Sequence, residues 1–181
     1  MKYIKPVILL IIIVIVGFNL SCERDDICPE ATPTTPHLII RLYDISNQES
    51  NKNAFMMRIQ GIDNPDVLED YDVITTDSIV LPLRTDATET EFRLHKDYEY
   101  DDNGTPGDTS DDIISGNEDI ITITYATQKV YVSRACGYKT TFENVIVTHE
   151  DDGDNWIQLI QSVNDNLSVE NENAAHYKIF H

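Results

Sequence analysis

The chain has 181 residues, among them 32 acidic side chains and 13 lysines or arginines, so its formal net charge at pH 7 is −19. So negative a surface repels nucleic acid and anionic lipid headgroups, which leaves proteins, neutral glycans and divalent cations as partners. The length suits a single domain that can bury its own core.

An export signal is predicted at the N-terminus. Lys2 and Lys5 precede an uncharged apolar run over residues 7–16, and a short segment then leads to Cys22. The run is shorter than the ~20 residues that a helix needs to cross a bilayer, so it is typical of a cleaved signal and not of a permanent span. Residues 1–21 are therefore predicted to be a signal peptide.

The end of this segment resembles a bacterial lipoprotein signal, in which Cys22 becomes the acylated first residue of the mature protein. The small residue Ser21 fits that pattern, whereas Asn19 stands where leucine is usual. Removal of residues 1–21 takes away two lysines and no acid, so the net charge of −19 becomes −21. We expect a lipoprotein of the cell envelope, held in the outer membrane on its periplasmic face or at the cell surface.

Residues 22–36 are predicted to form a tether. Pro29, Pro33 and Pro36 stand among acidic residues and threonines, and no apolar residue recurs with a regular period. Such a composition favours extended, polyproline-like backbone, which would hold a folded domain away from a membrane surface.

From residue 37 onward, apolar residues alternate with polar ones, as in half-buried β-strands. Residues 63–71 offer at most one or two helical turns. Thr127-Gln128 is predicted to end a strand in a hairpin, and Asp152-Gly153 suits the positive φ of another tight hairpin. The predicted strands cover residues 38–43, 78–83, 91–95, 121–125, 130–132, 138–147, 156–163 and 176–180.

Seven to nine short strands joined by polar turns predict an all-β fold, an antiparallel immunoglobulin-like β-sandwich over residues 37–181. Trp156 follows Cys136, whereas in antibody domains the tryptophan lies between two cysteines. The sequence therefore predicts the sandwich architecture but not membership of the antibody family. A small β-barrel is the alternative.

The chain contains three cysteines. With lipid on Cys22, the other two, Cys28 and Cys136, make one even pair in an oxidising compartment, which predicts a disulfide. The bond would close a loop of roughly 100 residues, which the chain-entropy model values at about 4–5 kcal/mol. The rival role, Cys136 as a nucleophile, lacks a Ser/His/Asp or Cys/His signature nearby.

The densest acidic stretch is predicted to be an Asp-rich loop over residues 97–119. Calcium prefers hard oxygen ligands from alternate positions of a loop, with a glycine at the sharp turn. Gly104 would take the sixth position of such a loop, but Ser110 falls in the twelfth, where a glutamate belongs. A calcium site and a solvated insertion both remain open. The candidate calcium ligands are Glu99, Asp101, Asn103 and Thr105.

No catalytic site is predicted. The five histidines lack zinc-ligand spacing, and the chain has no glycine-rich phosphate loop or Gly-x-Ser-x-Gly elbow. Thirty-two carboxylates guarantee accidental pairs, so closeness in sequence does not indicate a carboxylate dyad. Five tyrosines either form an aromatic binding face or serve as ordinary strand residues; they are Tyr98, Tyr100, Tyr125, Tyr131 and Tyr138.

Several segments resemble a Bacteroidota family of small lipoproteins of unknown function. Cys28 and Cys136 both lie within these segments, which supports their pairing. The resemblance implies no catalytic residue, because the family has no assigned activity, and it implies an outer-membrane β-barrel protein as an envelope partner. The matching segments are residues 22–29, 32–36, 38–44, 131–139 and 170–180.

The predicted function is a non-enzymatic binding or structural role for a lipid-anchored β-sandwich of the outer membrane or cell surface. We expect an envelope protein as partner, attachment to the membrane through the N-terminal lipid, and no required cofactor. The alternative is a calcium-dependent glycan-binding or adhesive surface module.

Overall fold

A computed structural model of the protein describes residues 27–32 and 34–181. The predicted signal peptide and Cys22 lie outside the described residues. The described part of the chain contains no helix long and apolar enough to cross a membrane. Its ten strands are β1 (Leu38–Asp44), β2 (Asn47–Asn51), β3 (Ala54–Gly61), β4 (Ile74–Thr76), β5 (Ser78–Leu81), β6 (Glu89–Asp101), β7 (Ile113–Ser133), β8 (Gly137–His149), β9 (Leu159–Ser162) and β10 (Tyr177–Phe180).

Within the described residues, the contacts define two compact units. The larger one comprises residues 34–130 and 139–181, and the smaller one comprises residues 27–32 and 131–138. Residues 131–138 of the predicted sandwich domain thus belong to the same compact unit as residues 27–32 of the predicted tether, and a disulfide joins Cys136 to Cys28.

The first sheet of the larger unit is organised around β1, with the order β2-β1-β10-β9 and β5 also paired to β1. On one edge, β1 runs parallel to β10, with Ile40 opposite Tyr177. On the other edge, β5 runs antiparallel to the first half of β1, with Leu38 opposite Leu81. Strand β2 pairs with the last residues of β1. One strand therefore supplies backbone partners to three others.

The second sheet has the order β4-β3-β6-β7-β8. The registers of β3 with β4, β3 with β6 and β6 with β7 are all antiparallel. The two sheets confirm the predicted all-β sandwich, with ten strands where seven to nine were expected, and neither sheet closes into the alternative barrel. The expectation of purely antiparallel strands is wrong for β1 and β10, because alternation reveals which side chains are buried but not which way a strand runs.

The core lies between the apolar faces of the strands in the larger unit. Leu38, Ile40 and Leu42 are fully buried, whereas the residues between them are partly exposed, as the period of two predicts. Each such side chain stabilises the fold by roughly 1.5–3 kcal/mol relative to an exposed one. The same alternation buries Ile79 and Leu81 on β5, Phe92 and Leu94 on β6, and Ile121 and Ile123 on β7.

Neither of the two predicted hairpin turns is a hairpin in the structure. Strand β7 continues through Thr127-Gln128 to Ser133, because no glycine, proline or asparagine interrupts it there and β-branched residues follow. Asp152-Gly153 lies in a connection of residues 150–158 that leads from β8 in the second sheet to β9 in the first. That connection is a crossover between sheets and not a tight hairpin.

Strands β6 and β7 extend into the Asp-rich segment, so the irregular loop covers only residues 102–112 of the predicted range 97–119. A β-bulge interrupts the pair where Asp97 and Tyr98 lie opposite Gly116. Gly116 has a φ of +110°, and a Cβ added there would lie 2.5 Å from the backbone oxygen of Asp97. The bulge therefore requires glycine at this position.

We expect Gly116→Ala to lower the free energy of unfolding by roughly 3 kcal/mol, because the new methyl group adds a backbone clash to an unfavourable φ. Gly107→Ala is the matched control, since Gly107 also has a positive φ but no atom lies within 4 Å of an added Cβ. The control should lose only about 1 kcal/mol. Urea denaturation of both variants measures the difference, and equal losses would contradict the close approach at the bulge.

Candidate functional site

The smaller unit is held together by a disulfide. The predicted partners Cys28 and Cys136 are bonded to each other. The backbone N–H of Cys136 donates to Ser133 Oγ at 3.0 Å, and Gly137 follows with a φ of +69°, which lets the chain reverse between β7 and β8. A bond between residues 108 positions apart stabilises the fold chiefly by restricting the unfolded chain.

This unit also exposes apolar side chains. The rings of Tyr131 and Tyr138 meet edge to face with their centroids 5.4 Å apart, yet 58% and 67% of these residues remain exposed. Ile27, beside Cys28, is 81% exposed. Tyr98 and Tyr125, by contrast, are buried in the larger unit, so the five tyrosines do not form one aromatic face. The exposed pair offers rigid, amphipathic contact area to a partner.

The four candidate calcium ligands are distributed over β6 and the loop that follows it. Asp101 Oδ1 accepts the backbone N–H of Asn103 at 2.9 Å. The amide of Asn103 and the hydroxyl of Thr105 both donate to Asp111, at 3.2 and 2.8 Å. Glu99 lies on β6 opposite Ser115. Asp111, which the loop spacing did not single out, is thus the shared acceptor.

Among the described residues, no group of three or more histidines, cysteines or carboxylates is arranged to hold a metal ion. A calcium site at the predicted ligands stays a prediction. The base of the loop is closed by the hydroxyl of Tyr100, which donates to Asp112 at 2.7 Å. This hydrogen bond to a carboxylate raises the pKa of Tyr100 to about 12.

A buried carboxylate, missed by the sequence analysis, fixes the crossover between the sheets. Asp119 on β7 has no exposed surface and accepts the backbone N–H groups of Trp156 at 3.3 Å and Ile157 at 2.8 Å. The indole N–H of Trp156 donates to the backbone oxygen of Leu94 at 3.1 Å. Burial raises the pKa of Asp119, and the two N–H donors oppose that rise only in part. Nothing in the sequence separates this acid from the other carboxylates.

A groove, also missed, opens in the larger unit where β3 ends. Its volume is about 460 Å³. Its apolar lining includes Leu68, Leu83 and Phe92, of which the last two are almost fully buried, together with Ile62 and Pro82. Four carboxylates line the same groove, and finding them together requires knowledge of the strand pairing; they are Asp63, Asp66, Glu89 and Glu91.

We expect Asp119→Asn to lower the free energy of unfolding by about 1–3 kcal/mol, because the amide nitrogen would face a backbone N–H donor that loses its acceptor. Glu150→Gln, an exposed acid in the same crossover, is the control and should change stability by less than about 0.5 kcal/mol. Urea denaturation measures both, and similar losses would show that Asp119 does not hold the crossover.

The loss of stability in Asp119→Asn should depend on pH in a defined direction. Because the pKa of Asp119 is raised by burial, the folded protein keeps this proton to a higher pH than the unfolded chain does. The contribution of Asp119 to stability is therefore fully present below the ordinary aspartate pKa of about 4. It falls as pH rises through the raised pKa of the folded protein. The deficit of Asp119→Asn should be larger at pH 4 than at pH 7, and the opposite order would contradict the assignment.

Comparison with known proteins places the chain in a family. The family model described as "Family of unknown function (DUF6452)" matches residues 56–181, from within β3 to beyond β10. No curated protein and no solved structure matches the chain. The match covers well over half of the chain and includes both the groove and Asp119. The protein belongs to the DUF6452 family, whose function is unknown.

Proposed function

We propose that the protein is a lipoprotein of the cell envelope, held in the outer membrane by lipid on Cys22, which binds a neighbouring envelope protein and carries out no reaction. The observation that carries this proposal is the bond between Cys28 and Cys136. Disulfides persist in oxidising compartments, so the bond agrees with the export signal that precedes it. It also uses both cysteines that remain when Cys22 is modified.

The disulfide limits how far the exposed tyrosines can lie from a lipid anchor. Cys28 follows Cys22 by only six residues, and an extended chain spans at most about 3.6 Å per residue, so the two cysteines are separated by no more than ~22 Å. Tyr131 and Tyr138 belong to the same compact unit as Cys28. An anchored chain would therefore keep these rings within reach of proteins embedded in the same membrane, and tyrosine is enriched at protein interfaces because its ring is amphipathic.

Protein charge also favours a protein partner. A net charge of −21 after signal removal opposes close approach to anionic headgroups and to other copies of the chain. One acyl chain gives only marginal membrane binding, so stable attachment of so acidic a protein needs two or more chains on Cys22. The exposed tyrosine pair then supplies the contact area for a membrane-embedded partner of less negative charge.

The anchor predicts the behaviour of Cys22→Ser. The unaltered protein should fractionate with membranes and show an intact mass that lacks residues 1–21 and includes acyl groups. The Cys22→Ser variant should lose the acyl mass and leave the membrane fraction. The control, Cys28→Ala with Cys136→Ala, removes the disulfide but should keep the acyl mass. An unprocessed leader in the purified protein would contradict the proposal.

Partner binding is tested by cross-linking in intact envelopes, followed by purification of the full chain in detergent. We expect one outer-membrane protein to be recovered, and Tyr131→Ser with Tyr138→Ser should reduce its yield about tenfold or more, because truncating buried aromatic contacts weakens interfaces by several kcal/mol. Tyr100→Ser, which alters an exposed tyrosine elsewhere, should leave the yield unchanged. Equal recovery by both variants would reject the smaller unit as the contact surface.

A further inference from the structure

The groove at the end of β3 exposes an unpaired edge of β6. The ladder between these strands ends at Gly61 opposite Phe92, and one more hydrogen bond joins the N–H of Ile62 to the backbone oxygen of Glu91 at 3.2 Å. Beyond that point the chain turns away through residues 62–66. Strand β6, however, begins three residues before Phe92, at Glu89.

The hydrogen bonds of β6 fix the direction in which Glu89 presents its backbone. The N–H of Tyr125 on β7 donates to the backbone oxygen of Thr88, so Thr88 faces β7. Because successive residues of a strand turn their N–H and C=O groups to opposite edges, Glu89 presents both groups to the side that β3 has left. No backbone partner meets them there among the described residues.

Residues 82–84 line the groove beside this edge, and a closed set of hydrogen bonds holds them in place. The hydroxyl of Tyr125 donates to the backbone oxygen of Arg84 at 2.9 Å, and the N–H of Arg84 donates to Thr90 Oγ1 at 3.1 Å. The hydroxyls of Thr90 and Tyr125 lie 2.5 Å apart, so the Thr90 hydroxyl donates to that of Tyr125. The groove is thus formed before any ligand arrives, which lowers the entropy lost on binding.

The charges around the groove select a cation. Asp63, Asp66, Glu89 and Glu91 line it, and the single basic residue, Arg84, forms a two-point hydrogen bond with Asp86 at 3.2 and 3.3 Å. One carboxylate oxygen of Glu91 accepts a hydrogen bond from the hydroxyl of Thr122. A second copy of this acidic chain would be repelled, whereas lysine or arginine flanking an apolar residue would meet both the carboxylates and the apolar surface.

We propose that the groove binds an extended basic segment of a partner protein, which adds a short strand beside Glu89 and places an apolar side chain against Leu83 and Phe92. The unpaired N–H and C=O groups favour a peptide over a small amine, since strand addition uses main-chain hydrogen bonds for affinity and pockets for specificity. This proposal rests on the proposed function only in taking the ligand to be a protein.

Selection from a phage library of random heptapeptides on the full chain in detergent tests the proposal. Selected peptides should carry lysine or arginine on both sides of an apolar residue. By fluorescence polarisation, Glu89→Gln with Glu91→Gln should weaken the best peptide about tenfold, because two charge pairs are lost. The matched control, Glu143→Gln with Glu150→Gln, removes two acids outside the groove and should leave binding unchanged.

Strand addition is tested separately with Glu89→Pro. Proline is tolerated at the first residue of a strand, and here it removes an N–H that the ladder with β7 does not use. Binding should fall several-fold below that of Glu89→Gln. Equal binding by these two variants overturns strand addition, and selected peptides without basic residues, or no selected peptide, overturn the groove as a site. Cross-linking that still recovers the envelope partner would show that only this inference has failed.

Discussion

The sandwich depends on the backbone of β1, because three other strands hydrogen-bond to it, one of them from the far end of the described chain. Its two edges are both occupied, by β10 on one side and by β5 and β2 on the other. Its inward side chains, Leu38, Ile40 and Leu42, have no exposed surface. Loss of β1 would therefore remove part of the core and leave unpaired edges on strands that have no other route to satisfy their backbone groups.

The connection from one sheet to the other relies on a different interaction. Residues 150–158 leave the second sheet and enter the first, so their N–H groups cannot all join a ladder. The carboxylate of Asp119 accepts two of them in the interior, where an unpaired N–H would be costly. A buried acid is tolerated at this position because it meets two donors at the place where the fold changes layer.

Alternation in the sequence predicted β1, β5 and the inner parts of β6 and β7 with their buried faces, but it predicted neither β2, β3 and β4 nor the arrangement of the strands. Alternation identifies Leu38, Ile40 and Leu42 as inward because burial follows side-chain direction, which is a local property. The direction of β10, the length of β7 and the partners of Asp119 depend on which segments meet in space, and no local pattern records that. The same limit explains why the acids of the groove passed unnoticed, and why spacing alone did not single out Asp111 as the acceptor for Asn103 and Thr105. The disulfide could be predicted without knowledge of the fold, because three cysteines with lipid expected on Cys22 leave a single pair.

The parallel pairing of β1 with β10 has a consequence for biosynthesis. Ile40 lies opposite Tyr177, so β1 waits for β10, more than 130 residues later, before its sheet is complete. Contacts this distant in sequence form slowly, because a long loop must close before they contribute. Until β10 has been synthesised, this edge of β1 has no backbone partner. If the protein is exported as proposed, such a delay would help to keep the chain unfolded during secretion.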